Sequence, residues 1–364
     1  MAQTRRGCGC AVAALAVVLI VAAIVGWKFL KPKWDEWQAK QPPPASGEEL
    51  RVHMLDVGQG DSILIISPAG KAVLVDAGNP GNGKKILEAL KRYGVGQIDL
   101  LIATHAHADH IGAADEVIKA TNVASVLDSK VPNTTKNYQD FLAAIEAKGV
   151  NYMGAEPGQT FELGGGAIIR VLAPIQPFFT KDEVRSGGNE PNANSVVVRL
   201  DYGGFSMLLT GDAEAQTEER MMQKGADITT KVLKVGHHGS KYASSEDFLR
   251  RGGFETALIS ASVDNRYGHP SQEVLDRLKA RGVRLYRTDL QGEITITSRG
   301  TEDYQVKTER EADEDMWTGR KAQKDDSTRS GFVAYGDFGP APKNKNTNKN
   351  TNTNNSNRKA ANGR

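Results

Sequence analysis

"THAHADHIGA", residues 104–113, places three of the chain's seven histidines and one aspartate within six consecutive positions. The stretch follows "IDLLIAT", a short apolar run that reads as a buried strand. His105 and His107 therefore alternate at a strand end, with Asp109 and His110 directly after them. A loop leaving a strand can curl four such side chains toward one point. Imidazole nitrogens combined with a carboxylate suit zinc, manganese or iron. Neither cysteine, Cys8 or Cys10, lies near this stretch, so thiolate ligation and a disulfide framework are both excluded from the part of the chain that carries it.

Strand-like and helix-like segments alternate on both sides. "LRVHMLDV", "SILIIS" and "KAVLVDA" precede it as short strands broken by "GQGD" and "PAG". "GKKILEALKRYG" has helical spacing, and the helices "AADEVIKAT" and "KNYQDFLAAIEAKG" come after. The second half repeats the style. "NSVVVRLDYG" and "GFSMLLTGD" pair as strands, "AEAQTEERMMQKG" is a helix, and "TTKVLKVG", "ETALIS", "VRLYRT" and "GEITITS" are strands around the helix "SQEVLDRLKARG". This mixture predicts one α/β domain with covered sheets over residues 49–304. His53, inside a strand, reads as structural.

The two ends differ from this middle. Between residues 50 and 300 the chain carries 28 Lys plus Arg against 30 Asp plus Glu, so the formal net charge of +2 is contributed by the ends. From Gly7 to Trp27 there are 21 residues without a charge, which as a helix would span about 31 Å, the thickness of a bilayer's hydrocarbon layer. Residues 1–30 are thus expected to form a single-pass transmembrane anchor. Arg5 and Arg6 on one flank and Lys28, Lys31 and Lys33 on the other leave the charge rule undecided, and the folded domain is expected on the extracytoplasmic side. Residues 31–48, with "QPPPAS", read as a proline-rich linker. Residues 305–364 read as a disordered basic tail, its last 27 positions holding nine Asn, six Lys or Arg and no acid. No pattern specifies a protein partner.

"HAHADH" matches the HxHxDH signature of the metallo-β-lactamase superfamily. "LDVGQGDSILI" and "LVDAG" before it, and "LLTGD", "VLKVGHHGS" and "GHPS" after it, appear in the order expected of that family. Together they resemble the metallo-β-lactamase-like domain of ComEC-type DNA-uptake proteins and their free-standing relatives, over about residues 50–298. The resemblance implies an αββα sandwich with one or two divalent metal ions at one edge of its two sheets. Zn²⁺ is the expected ion and Mn²⁺ the alternative. His105 and His107 would hold the first metal, Asp109 and His110 the second, and Asp212 would bridge them. His269 in "YGHPS" is expected to close the second site, in preference to His237 or His238. Those two, with Lys234, are expected to face the substrate as catalytic groups. Asp76, Asp61 and Asn194 are expected to support the ligands from behind, Asp76 by accepting a hydrogen bond from a ligating imidazole.

One departure from the superfamily pattern stands out. No histidine occurs from Ile111 to Gly236, where most relatives place a third ligand of the first metal. Asn194 or Ser195 occupies that slot, so the first site is expected to bind weakly, to prefer a harder ion such as Mn²⁺, or to borrow His237. The resemblance implies hydrolysis by a metal-activated hydroxide, acting on a phosphodiester or nucleic acid. Two alternatives stay open: a hydrolase of a small phosphoester such as choline phosphate, or of an acyl ester, and a non-catalytic protein that binds DNA or cell wall.

Overall fold

The computed structural model describes residues 49–186 and 190–321. Its two large sheets lie face to face. The first has eight strands in the order Tyr304–Thr308, Ile294–Ser298, Leu50–Met54, Ile63–Ile66, Ala72–Val75, Leu100–Ala103, Ser125–Asp128, Asn151–Gly154. The second has seven, in the order Arg284–Arg287, Thr256–Ile259, Val232–Lys234, Phe205–Leu209, Val197–Tyr202, Ala167–Ala173, Thr160–Gly164. Central strands such as "ILII", "AVLV" and "LLIA" are buried at every position. Continuous apolar runs of this kind are what a strand covered on both faces requires.

Three apolar clusters account for that covering. One joins the inner faces of both sheets through Val52, Ile65, Val73, Val171, Leu200 and Met207. A second packs the outer face of the first sheet, through Leu64 and Leu74, against helices Gly83–Arg92, Ala114–Ala120 and Lys136–Lys148. A third packs the second sheet, through Leu208 and Leu233, against Ala215–Gln223, Glu246–Gly252 and Gln272–Ala280. The layers run helix, sheet, sheet, helix, so the expected αββα sandwich is the observed architecture. Local signals set the helix ends. The Ser271 hydroxyl accepts from Val274 N at 3.4 Å, capping Gln272–Ala280, and Gly149 at φ 62° closes Lys136–Lys148 in the left-handed region.

The expected anchor and linker, residues 1–48, lie outside the described residues, as do residues 322–364. Among the described residues no helix is long and apolar enough to cross a membrane. The expected boundary at residue 304 needs correction. Tyr304–Thr308 adds an antiparallel edge strand to Ile294–Ser298, and residues 314–320 dock beyond it. Arg287, fully buried, grips Asp289 with two hydrogen bonds of 3.0 and 2.7 Å and donates to the carbonyls of Met316 and Thr318. Arg320 adds a 2.8 Å bond to Asp289. A charged group's hydrogen bond contributes about 1.5–3 kcal/mol when made and more when lost in a buried site. A chain ended at residue 304 should therefore lose several kcal/mol in chemical denaturation relative to one ended at residue 321.

His53 is buried where the first sheet meets helix Gly83–Arg92. Its ring stacks on Tyr93 at 3.7 Å, and its Nδ1 lies 3.1 Å from Thr295 Oγ1 and 3.4 Å from Glu293. Burial lowers its pKa below the usual 6.5, against the pull of Glu293. A depressed imidazole pKa means that the unfolded chain takes up the proton first. Its contribution is complete above pH 6.5 and is lost as pH falls through that value. Denaturation of wild type between pH 7.5 and 5 should show this loss, with a shallower slope for His53→Gln.

Candidate metal centre

The site sits where both sheets end. Strands Leu100–Ala103 and Ser125–Asp128 run parallel in the first sheet, and Phe205–Leu209, Val232–Lys234 and Thr256–Ile259 run parallel in the second. Their C-terminal ends deliver Thr104–His110, Asp212, His237–His238 and Ser260 to one place. Two bonds stitch the sheets together there: Val196 N donates to Thr104 O at 2.8 Å, and Ser260 Oγ to Gly60 O at 2.6 Å. Gly60 is itself required. At φ 140° its Cβ position would overlap the Asp109 carbonyl oxygen and lie 3.3 Å from the Asp109 Cβ.

Asp109, His110, Asp212 and His238 form one cluster with their ligand atoms all within 4.8 Å of one another, and Asp61, Asp76 and His110 form another within the same distance. His110 Nε2 lies 3.2 Å from Asp212 Oδ1, and His238 Nε2 lies 3.6 Å from that same oxygen and 3.4 Å from Asp109 Oδ2. His110 Nε2, His238 Nε2 and Asp212 Oδ1 are buried without a hydrogen-bond partner. Unpartnered buried polar atoms are costly, and three that converge beside a fourth ligand fit a divalent cation. Their edges of 3.2–3.6 Å match the roughly 3.3 Å edge of a tetrahedron with bonds of about 2.0–2.1 Å.

The opposite nitrogen of each imidazole is already engaged. His110 Nδ1 lies 2.7 Å from Asp76 Oδ2, and Asp76 also accepts from Thr104 N at 2.8 Å and Thr104 Oγ1 at 2.7 Å. His238 Nδ1 donates to Ser260 O at 3.0 Å. Each contact keeps a proton on Nδ1, so Nε2 is the nitrogen that would turn its lone pair to a cation. Burial opposes charge on both rings, but Asp212 and Asp76 raise His110 well above the ordinary range, and Asp212 and Asp61 raise His238 to about 10. Against the same burial, His110 and His238 hold Asp212 well below the usual carboxylate range. Negative charge collects at the point where a cation would sit.

The other half of the site faces Asp212 Oδ2. His105 Nε2 lies 3.9 Å and His237 Nε2 3.8 Å from that oxygen, and His107 Nδ1 lies 3.0 Å from His105 Nε2. Asp212 thus spans the two halves with one oxygen each. The imidazole missing from the 111–236 stretch is matched in space by His237. Burial lowers the pKa values of His105 and His107, which leaves their nitrogens free to donate lone pairs.

Three expectations change at this point. His238, not His269, completes the cluster of Asp109, His110 and Asp212. His269 meets the His237 ring at 5.2 Å and stacks on Tyr267 at 5.8 Å. Chain order favoured His269, but His237 and His238 take left-handed backbone, φ 49° and 52°, and this turn aims the His238 ring inward. Non-glycine residues rarely adopt that region, and such strain clusters at functional sites. Asn194 is a structural staple: its side chain bonds Phe179 N, Phe179 O and Glu190 O, each at 2.9 Å. Ser195 Oγ instead accepts from Asp212 N at 3.2 Å and lies 3.4 Å from His105 Nδ1.

Lys234 is the third correction, because it cannot reach a substrate. It is fully buried, with Nζ 2.7 Å from Asp61 Oδ2 and 2.9 Å from Val235 O. Its role is to neutralise Asp61, which lies behind His238 with Oδ1 3.5 Å from Nδ1. Burial raises the Asp61 carboxyl, and Lys234 and His238 reverse this to a net lowering. Removing one member of a buried pair costs about 3–5 kcal/mol. Lys234→Met should therefore appear in denaturation curves as a loss of that order, where a substrate contact would change KM and leave stability alone.

Two residues absent from the expected set complete the picture. The Glu214 carboxylate is buried with Oε1 3.4 Å from His237 Nδ1. Asn192 Nδ2 lies 3.2 and 3.3 Å from the two His237 nitrogens. Glu214, two positions after Asp212, was the more findable of the two.

This arrangement agrees with the comparisons. Residues 55–263 match the model of the metallo-beta-lactamase superfamily. The chain belongs to that superfamily and is a metal-dependent hydrolase of it. It is 34% identical over 268 residues to ComE operon protein 3 of Bacillus subtilis, an alignment covering 69% of this chain and 33% of that protein. It is 29% identical over 286 residues to Recombination protein 2 of Haemophilus influenzae, covering 77% and 31%. A UPF0173 metal-dependent hydrolase of Cupriavidus necator is 33% identical over 209 residues, covering 55% and 70%. The chain spans about a third of the length of the first two, which are ComEC-type relatives.

Proposed function

We propose that this hydrolase is a phosphodiesterase or nuclease, held at a membrane by its apolar N-terminal stretch with the folded domain extracytoplasmic. The observation that carries the reading is the convergence of unpaired His110 Nε2, His238 Nε2 and Asp212 Oδ1 beside Asp109, with Asp212 Oδ2 turned to His105 and His237. Asp109, His110, Asp212 and His238 would hold one divalent ion, Zn²⁺ or Mn²⁺, and His105, His107 and Asp212, with His237, a second. Bound there, such an ion supplies an activated water at neutral pH and polarises the group under attack. The chain's own residues do the rest. Asp76 and the Ser260 carbonyl hold the Nδ1 protons of His110 and His238, and the Lys234–Asp61 pair backs His238. The partly exposed His269, outside both ligand sets, is the imidazole left to meet a substrate oxygen. A relative named for recombination supports nucleic acid as the phosphodiester.

The test assays purified full chain on bis-aryl phosphodiesters, single-stranded DNA, choline phosphate esters and acyl esters, with and without a chelator. Chelator-sensitive phosphodiester turnover is expected. Turnover of acyl esters alone would reject the reading. Membrane fractionation with and without residues 1–30 tests the anchor, and protease protection in intact cells tests the side.

A further inference from the structure

Three large apolar side chains are exposed among the described residues: Tyr242, Val263 and Tyr267, at 38%, 49% and 47%. All three lie on the two loops that leave adjacent parallel strands Val232–Lys234 and Thr256–Ile259 at the metal end. Neither loop is slack. The first is pinned by Glu218, which accepts from Ser244 N at 2.6 Å and Ser245 N at 2.9 Å. Arg277 grips the same loop, donating to Ser244 O and Lys241 O at 2.8 and 3.0 Å. The second is closed by Asn265, whose side chain bonds Ser262 O, His269 O and His269 N at 2.7, 2.6 and 2.9 Å.

Each exposed ring has a cation over it, and Arg266 also donates to the Tyr267 hydroxyl at 2.8 Å. Lys241 Nζ lies 5.3 Å from the centre of Tyr242, and the Arg266 guanidinium 4.9 Å from that of Tyr267. Neither cation forms an ion pair among the described residues, and Asp264, the one acid of the second loop, pairs with neither. Tyr267 also stacks on His269, which reaches His237. A ring that stays this exposed, with a cation that makes no ion pair over it, offers ring area for stacking and one charge for a phosphate. That is the chemistry of a nucleotide unit whose base is free to unstack.

We infer that Tyr242 and Tyr267 are base-stacking platforms, with Lys241 and Arg266 as their phosphate partners, and that they make single-stranded nucleic acid the polymer this site selects. This rests on the phosphodiesterase reading and adds the residues that choose the strand. A base in a duplex is stacked on its neighbours and cannot lie on either ring; an unpaired one can. Each stacked base is expected to change affinity on the order of tenfold.

The test compares binding of a labelled oligothymidylate with that of an abasic deoxyribose-phosphate polymer of equal length, by fluorescence anisotropy on the full chain. Both polymers carry the same charge, so any contribution of the basic C-terminal residues cancels. The wild type is expected to prefer the base-bearing polymer by about tenfold or more. Tyr242→Ala with Tyr267→Ala should erase the preference, and Tyr→Phe at both positions should keep it. Equal binding of the two polymers by wild type, or a preference that survives the double alanine variant, overturns the inference. So does wild-type dimerisation that the double variant abolishes, which would assign the rings to a second copy of the chain. Absence of phosphodiester hydrolysis beside an intact base preference would reject the catalytic reading alone.

Discussion

Asp212→Ala is expected to empty both metal positions and reduce hydrolysis to background. Its two oxygens face different groups, Oδ1 toward His110 and His238 and Oδ2 toward His105 and His237. Removing one charged partner from a buried ionic cluster costs about 3–5 kcal/mol, which as affinity is about 10²- to 10⁴-fold. Metal analysis after dialysis should find less than one equivalent in the variant, and turnover should fall with it. Full metal content with full activity would mean that the bridging assignment is wrong.

His238→Ala and His269→Ala should part company in the same measurement. His238 Nε2 is buried between Asp109 and Asp212, whereas His269 touches the cluster only through the His237 ring. The first variant is expected to lose the metal shared with Asp109 and His110, with a large fall in rate. The second should keep its metal and show its defect in turnover. The reverse pattern would restore His269 as the ligand.

Much of this site was legible because the superfamily signature is local. His105, His107, Asp109 and His110 sit within six positions, and Asp212 ends an apolar strand, so their convergence needed only the sandwich to be right. His238 and His269 could not be ranked from chain order, because the choice is made by two left-handed residues in a turn that no periodicity reveals. Asn192 lies in the four-residue helix Glu190–Ala193 and Asn194 in the turn just after it, and this short stretch sends one to His237 and the other to Phe179. Residues 305–321 were misread for a different reason. Val306, Met316 and Trp317 do pack on the apolar clusters, but they are few and set among charged residues, and the rest of the docking uses backbone carbonyls of Met316 and Thr318 around a buried arginine.

The order of strands in the first sheet has a consequence for how the chain matures. Leu50–Met54, the first described strand to be synthesised, pairs on one side with Ile294–Ser298, which arrives more than two hundred residues later. Contacts so far apart in sequence form slowly, and until they form one edge of Leu50–Met54 stays unpaired and open to wrong partners. The Asp212 carboxylate, too, comes from the later sheet. A partly made chain therefore holds the HxHxDH loop without Asp212 or His238, so hydrolytic competence appears late, with the closing of the sandwich.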